Sequence, residues 1–247
     1  VAFCNVSASM SASCRFSQVL ISAMSLKQVS VESRRMARKV VLEKASNGTL
    51  IDAHNIDAIA GIGYDYVGIS IDGTRSTHDA FRRKQGAFDA SMDGIRLCRD
   101  RDIKVGLRFT MTEDNSVEFL DMLQLMRDEG VNKFYLSHLN YAGRGNRNRD
   151  SDVQLQITRK TMELLVETAL EHAQRGDDLE FVTGNNDADG VFLLQWLRQH
   201  FPDMAEHIAA KLRQWGGNSS GVKIANIDNI GMVHPDTFWW HYDLGNV

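Results

Sequence analysis

The stretch Ile103–Met111 constrains the fold more than any other part of this chain. Ile103, Val105, Leu107, Phe109 and Met111 share one face of an extended strand, and Lys104, Gly106, Arg108 and Thr110 share the other. Tyr64–Asp72 repeats the pattern, with Val67, Ile69 and Ile71 set against Gly68, Ser70 and Asp72. Asn132–Leu139 and Leu179–Thr183 are further strand candidates. Helical stripes lie between them: Phe88, Met92, Ile95 and Cys98; then Leu120, Leu123 and Met126; then Met162, Leu165, Val166, Ala169 and Leu170. Spacings of roughly 30–45 residues between strands leave room for a crossover helix each time, which makes the strands parallel.

An open parallel sheet buries both faces, and its strands read as continuous apolar runs. These strands alternate instead, as they do when one face packs under helices and the other lines a lumen. Ser70, Asp72, Arg108 and Thr110 would then point into a polar cavity, where an arginine calls for an anionic partner. The alternative is an edge strand with a solvated face. Cys98 sits on a helical stripe and reads as core. His54, His78, His172, His200 and His207 read as surface or helix residues.

Composition divides the chain. Residues 1–46 hold ten Ser and seven basic residues against two acids, with no Gly, Pro or Asp. The remainder is net acidic and carries all 19 Gly. Three segments follow: 1–45, an anomalous basic stretch; 46–215, the body; and 216–247, a different texture. The first could be a transit peptide, a basic arm, or a frameshifted or mis-started reading. A net charge of −4 gives no general pull toward nucleic acid, and no apolar run is long enough to span a membrane. Cys4, Cys14 and Cys98 fit neither a disulfide framework nor a zinc pattern, so a cytoplasmic setting is the default.

Residues 221–235 read as a β-hairpin, with Asp228, Asn229 and Gly231 supplying the turn. Phe238, Trp239, Trp240, His241 and Tyr242 follow; Trp239 and Trp240 are expected as a hydrophobic plug, the other reading being rings that stack on a flat ligand. The final residues, 243–247, offer no helix or strand to close on, and the chain reads as truncated.

Three motifs stand in order: Ser46-Asn47-Gly48-Thr49, Gly68-Ile-Ser-Ile-Asp-Gly73 and Thr77-His-Asp-Ala-Phe-Arg82. Together with residues 227–235 and 244–247, they resemble radical S-adenosylmethionine (SAM) enzymes with a SPASM or twitch C-terminal domain. The wording of residues 134–147 and 223–247 is similar to the branch that acts in haem d1 biosynthesis. The resemblance spans about residues 46–247 and implies the later strands of an incomplete α/β (β/α)6 TIM-like barrel. The start of a small hairpin-containing domain would follow.

The resemblance also implies SAM and a [4Fe–4S] cluster as cofactors. A tetrapyrrole would be the substrate, and a flavodoxin or ferredoxin type of protein the electron donor. The implied reaction removes propionates from a didecarboxysirohaem and installs oxo groups. The alternatives are another SPASM or twitch enzyme acting on a peptide or haem precursor, or a degraded, non-enzymatic α/β module.

By this resemblance Ser70 contacts the SAM ribose, Arg82 the SAM carboxylate, and Asn47 lies near the SAM site; the other readings are a small filler for Ser70 and a solvated face for Arg82 and Arg83. Arg108, His138, Tyr141 and Arg144 are candidates for the substrate, and a hydrogen-bonded core role is the other reading of His138. The chain departs from the family in lacking a Cys-x-x-x-Cys-x-x-Cys loop and the glycine-rich segment expected near residues 15–25. Asp236 stands where many auxiliary-cluster domains place a cysteine. No metal ligands are assigned. The expectation is a chain that by itself binds no cluster, is inactive, and exposes unpaired strand edges.

Overall fold

The computed structural model describes residues 43–141, 150, 152–184, 186–218, 220–236 and 238–247. Residues 1–42 and Arg144 lie outside the described residues. Five parallel strands form one sheet in chain order: β1 (Glu43–Ser46), β2 (Tyr66–Ser70), β3 (Val105–Thr110), β4 (Lys133–Ser137) and β5 (Glu180–Gly184). Helices α1 (Ile56–Ile62), α2 (Arg75–Arg82), α3 (Ala87–Arg99), α4 (Phe119–Asp128) and α5 (Leu155–Arg175) make the crossovers. Helices α6 (Ala188–His200) and α7 (Pro202–Trp215) follow β5.

The expected face of each strand packs under the helices. Val67, Ile69, Ile71, Leu107, Phe109 and Met111 are all buried in one core cluster with Met92, Ile95 and Cys98 of α3. Phe109, Phe119 and Phe134 meet at its centre, with Phe119 edge-on to Phe134 at 5.7 Å between ring centroids. Truncating Phe134, which is fully buried, is expected to cost about 4 kcal/mol. The α4 stripe needs a correction. Leu120 is exposed, and the buried positions are Phe119, Met122, Leu123 and Met126. A 3₁₀ turn, Ser116–Glu118, runs straight into α4.

Local chemistry sets the ends of the helices. The Asp79 carboxylate accepts the backbone N–H groups of Gly86 and Phe88 at 2.7 and 2.8 Å, capping the start of α3. Those same bonds hold the Asp79 carboxyl below its usual value. Gly176 closes α5 at φ +80°, a left-handed conformation that a side chain would strain. Gly48 and Gly94 let the loop after β1 rest on α3; a Cβ at Gly94 would stand 2.6 Å from the Gly48 carbonyl oxygen.

The C-terminal segment forms a three-stranded antiparallel sheet: β6 (Asn226–Ile227), β7 (Met232–His234) and β8 (Gly245–Asn246). The hairpin is as expected, with the Gly231 N–H donating to the Asp228 carbonyl at 3.2 Å. The expectation that residues 243–247 have nothing to close on is corrected. Gly245–Asn246 pairs with Met232–Val233. The plug reading of the aromatic cluster is also corrected, because Trp239 and Trp240 are 55% and 61% exposed.

Candidate functional site

The inner face of the five-stranded sheet carries the site. Register pairs Ser70 with Arg108 and Arg108 with Tyr135, so the three share one face across β2, β3 and β4. Gly68 and Gly106 are also paired across β2 and β3. Side chains from neighbouring positions lie over these glycines. A Cβ at Gly68 would meet Arg108 Cδ at 2.6 Å, and one at Gly106 would meet the Tyr66 hydroxyl at 2.5 Å. Gly184 on β5 is covered in the same way by the Tyr135 hydroxyl. The Arg108 guanidinium stands 4.0 Å from the centre of the Tyr135 ring. Among the described residues no carboxylate pairs with it. Lower on this face, Lys133 sits over the Tyr66 ring at 4.4 Å and pairs with Glu180 at 3.2 Å.

At the end of β2 the chain builds a buried polar knot. The Asp72 side chain is 1% exposed; one carboxylate oxygen pairs with Arg82 and the other accepts the Thr110 N–H at 3.3 Å. The Asp72 N–H donates to His78 Nδ1 at 3.0 Å, and its carbonyl accepts Asn115 Nδ2 at 3.0 Å. Burial raises the Asp72 carboxyl above its usual value, and Arg82 opposes that shift only in part. His78 is lowered to about 4, first by burial and then by the Arg82 charge. It is therefore neutral at pH 7 with its proton on Nε2, opposite the nitrogen that accepts from Asp72. Nε2 itself is buried without a hydrogen-bond partner, as is Arg82 Nε. The Phe88 ring stands edge-to-face with the imidazole at 6.0 Å.

The structure divides the sequence-predicted residues among four places. Ser70 and Arg108 are half-buried neighbours on the inner face. Arg82 lies at the Asp72 knot, 27% exposed and already paired with a carboxylate. Asn47 follows β1 and is exposed; its Oδ1 accepts the Thr49 N–H at 3.3 Å and the Thr49 hydroxyl at 3.2 Å. Its carbonyl accepts the Ser91 hydroxyl at 2.6 Å.

His138 and Tyr141 line a separate cleft of about 550 Å³ with Asp152, Asn186, Trp239 and His241. His138 is buried, with Nε2 3.0 Å from the Asp189 carboxylate, and the Tyr141 hydroxyl bonds to Asp152. Two carboxylates, Asp152 and Asp236, line this cleft, and among the described residues no lysine or arginine does. Arg108 is not part of its lining. The cleft thus brings together His138 and Tyr141, and Arg108 lies outside its lining.

Three participants escaped the sequence reading. Tyr135 was legible in principle, because β4 places it at the same parity as Lys133 and Ser137. His78, expected as a surface or helix residue, lies on α2 but is fully buried. Glu118 reaches back 44 residues to accept from the Thr74 N–H at 2.6 Å, capping α2 through a contact that no local pattern encodes.

Comparison with known proteins agrees with this architecture. The model of the radical SAM superfamily matches residues 24–137. The chain is 52% identical over 216 residues to the pre-heme d1 synthase of Dinoroseobacter shibae, covering 87% of this chain and 54% of that protein. It is 36% identical over 222 residues to the Fe-coproporphyrin III synthase of Methanosarcina barkeri, covering 90% and 55%. The chain thus spans about half the length of these relatives.

Among solved structures, anSMEcpe with bound AdoMet superposes with a TM-score of 0.59 at 15% identity, over 84% of this chain and 54% of that one. SuiB of Streptococcus suis bound to the precursor peptide SuiA gives 0.59 at 12%, over 83% and 44%. These two likenesses concern the fold alone. With its parallel sheet, its half-polar strands and these matches, the chain belongs to the radical SAM superfamily.

Proposed function

We propose that this protein works in haem d1 biosynthesis, on the didecarboxysirohaem stage. The reaction removes propionate side chains and installs oxo groups in their place. The observation that carries this reading is Arg108. It is a half-buried cation on the inner face of the sheet, with no carboxylate partner among the described residues. A tetrapyrrole bearing propionates brings the missing anion, and arginine binds carboxylates through two parallel N–H donors. The 52% identity to a pre-heme d1 synthase supports the same substrate class.

Two cofactors belong to the family, and the described residues fit one of them. Cys98 is the one described free cysteine and is fully buried in the core. No group of three His, Cys, Asp or Glu able to hold a metal occurs among the described residues. These residues do not fit a cluster, and no step is derived through one. SAM fits better. Ser70 offers a half-buried hydroxyl at the carboxyl end of β2, and Arg82 has a buried Nε with no partner. SAM, once bound and reduced by one electron from the donor, would supply a primary carbon radical and release methionine. Ser70 would orient it and Arg82 would hold its carboxylate, with Asp72 fixing Arg82 from behind. The Tyr66, Lys133 and Glu180 layer lies below them on the same face. An electron donor of flavodoxin or ferredoxin type and a cytoplasmic location complete the proposal.

A chimera tests it: residues 46–247 of this chain replace the aligned segment of the D. shibae synthase. After anaerobic reconstitution, incubation with didecarboxysirohaem, SAM and reductant is expected to give a product lacking propionates by mass. A chimera that cleaves SAM but leaves didecarboxysirohaem intact would overturn the substrate assignment. Formation of Fe-coproporphyrin III instead would favour the second relative's chemistry.

A further inference from the structure

We infer that Tyr135 and Gly68 are positioning residues that hold Arg108 as a receptor for a substrate carboxylate. The inference rests on the reading of the sheet's inner face as the substrate cavity. It goes further in saying what makes one arginine able to discriminate.

An arginine side chain has several rotatable bonds, and a free one loses considerable entropy on binding. Here both ends of the stem are fixed. Gly68 sits beside Arg108 with no side chain of its own, and Arg108 Cδ lies where a Cβ would be. The stem therefore crosses from β3 onto β2 in a slot that even an alanine would fill. At the far end the guanidinium lies 4.0 Å from the Tyr135 ring centre. That ring is itself wedged, 7% exposed, with its hydroxyl against Gly184.

Contact with a ring face engages the π system and consumes none of the five N–H donors. The cation is thus held in place while its hydrogen-bonding capacity stays available. An ion pair would have fixed the same side chain but taken up N–H donors, as the Asp72 carboxylate does with Arg82 of α2. The chemistry recognised is a carboxylate on a flat, largely apolar body, which a propionate-bearing macrocycle provides.

The test is a double-mutant cycle on the full chain, read by quenching of coproporphyrin III fluorescence, with its tetramethyl ester as the uncharged control. Thermal unfolding of every variant checks folding. Wild type is expected to bind the acid and discriminate against the ester. Arg108→Gln is expected to weaken binding of the acid about tenfold, and Tyr135→Leu by a similar factor. The two together should be no weaker than Arg108→Gln alone, because Tyr135 acts through Arg108. Tyr135→Phe, which keeps the ring, should retain affinity. Gly68→Ala, which displaces the stem, should mimic Arg108→Gln.

Additive losses, or a Tyr135→Leu variant that binds like wild type, would overturn the positioning role and leave the carboxylate site standing. Equal binding of acid and ester, or indifference to Arg108→Gln, would overturn the carboxylate site along with it.

Discussion

Asp72 and Arg82 form an ion pair with one partner sealed and the other at the surface, their side chains 1% and 27% exposed. The pair ties the end of β2 to the last turn of α2, and the Asp72 backbone is gripped on both sides by His78 and Asn115. Removing one partner of a buried pair leaves the other uncompensated. Asp72→Ala is therefore expected to lower stability by about 3 kcal/mol, measured as a shift in the urea midpoint. Asp72→Asn, which keeps the shape and an acceptor oxygen, should cost less.

His78 gives this region a pH dependence with a definite sign. Its folded value is lowered from 6.5 to about 4, so below pH 6.5 the unfolded chain takes up a proton that the folded chain refuses. The stability contributed by neutral His78 is full above pH 6.5 and is lost as pH falls toward 4. The gap corresponds to about 3 kcal/mol. Asp72 works the other way: its raised carboxyl takes up a proton earlier in the folded state as the solution is acidified. The clean readout is therefore a difference. Urea midpoints of wild type and His78→Gln, compared at pH 7 and pH 4.5, should show a shallower acid loss in the variant. Parallel losses would contradict the assignment.

Gly94→Ala tests the close contact between α3 and the loop after β1. The new methyl would meet backbone, the Gly48 carbonyl oxygen at 2.6 Å, and not a side chain that could swing away. A loss of about 2 kcal/mol is expected, seen as a lower thermal midpoint. A neutral result would mean that the loop and helix separate freely.

How much of this was legible in the sequence depended on the range of the interaction. The alternation in Ile103–Met111 marked β3 and its two faces, because period two is imposed by the backbone alone. The α3 stripe was legible for the same reason at period 3.6. On α4 the stripe caught Leu123 and Met126 but not Phe119 and Met122, and its third member, Leu120, is exposed. β8 is two residues long, too short to show any period, and exists through pairing with β7. The site divides likewise. Ser70 and Arg108 were found by parity. The Asp72 knot was not, since it joins a strand end, a helix and the Thr110–Asn115 segment through tertiary contacts.

The cysteine inventory makes a further prediction. With three cysteines in the chain and Cys98 buried, anaerobic reconstitution of these 247 residues with iron and sulfide should give no cluster absorption band. The reconstituted chimera should show one. A band from this chain alone would contradict the prediction and implicate Cys4 and Cys14 as ligands.

The claim on which the functional reading rests is that the face bearing Arg108 lines the cavity that holds the macrocycle, and Ser70, paired with Arg108 across β2 and β3, reports on it. Ser70→Cys, treated with N-ethylmaleimide and mapped by peptide mass, measures this directly. The thiol should label readily in the free chain and slowly once didecarboxysirohaem is bound. Labelling at position 70 that proceeds at one rate with and without bound macrocycle would contradict the account.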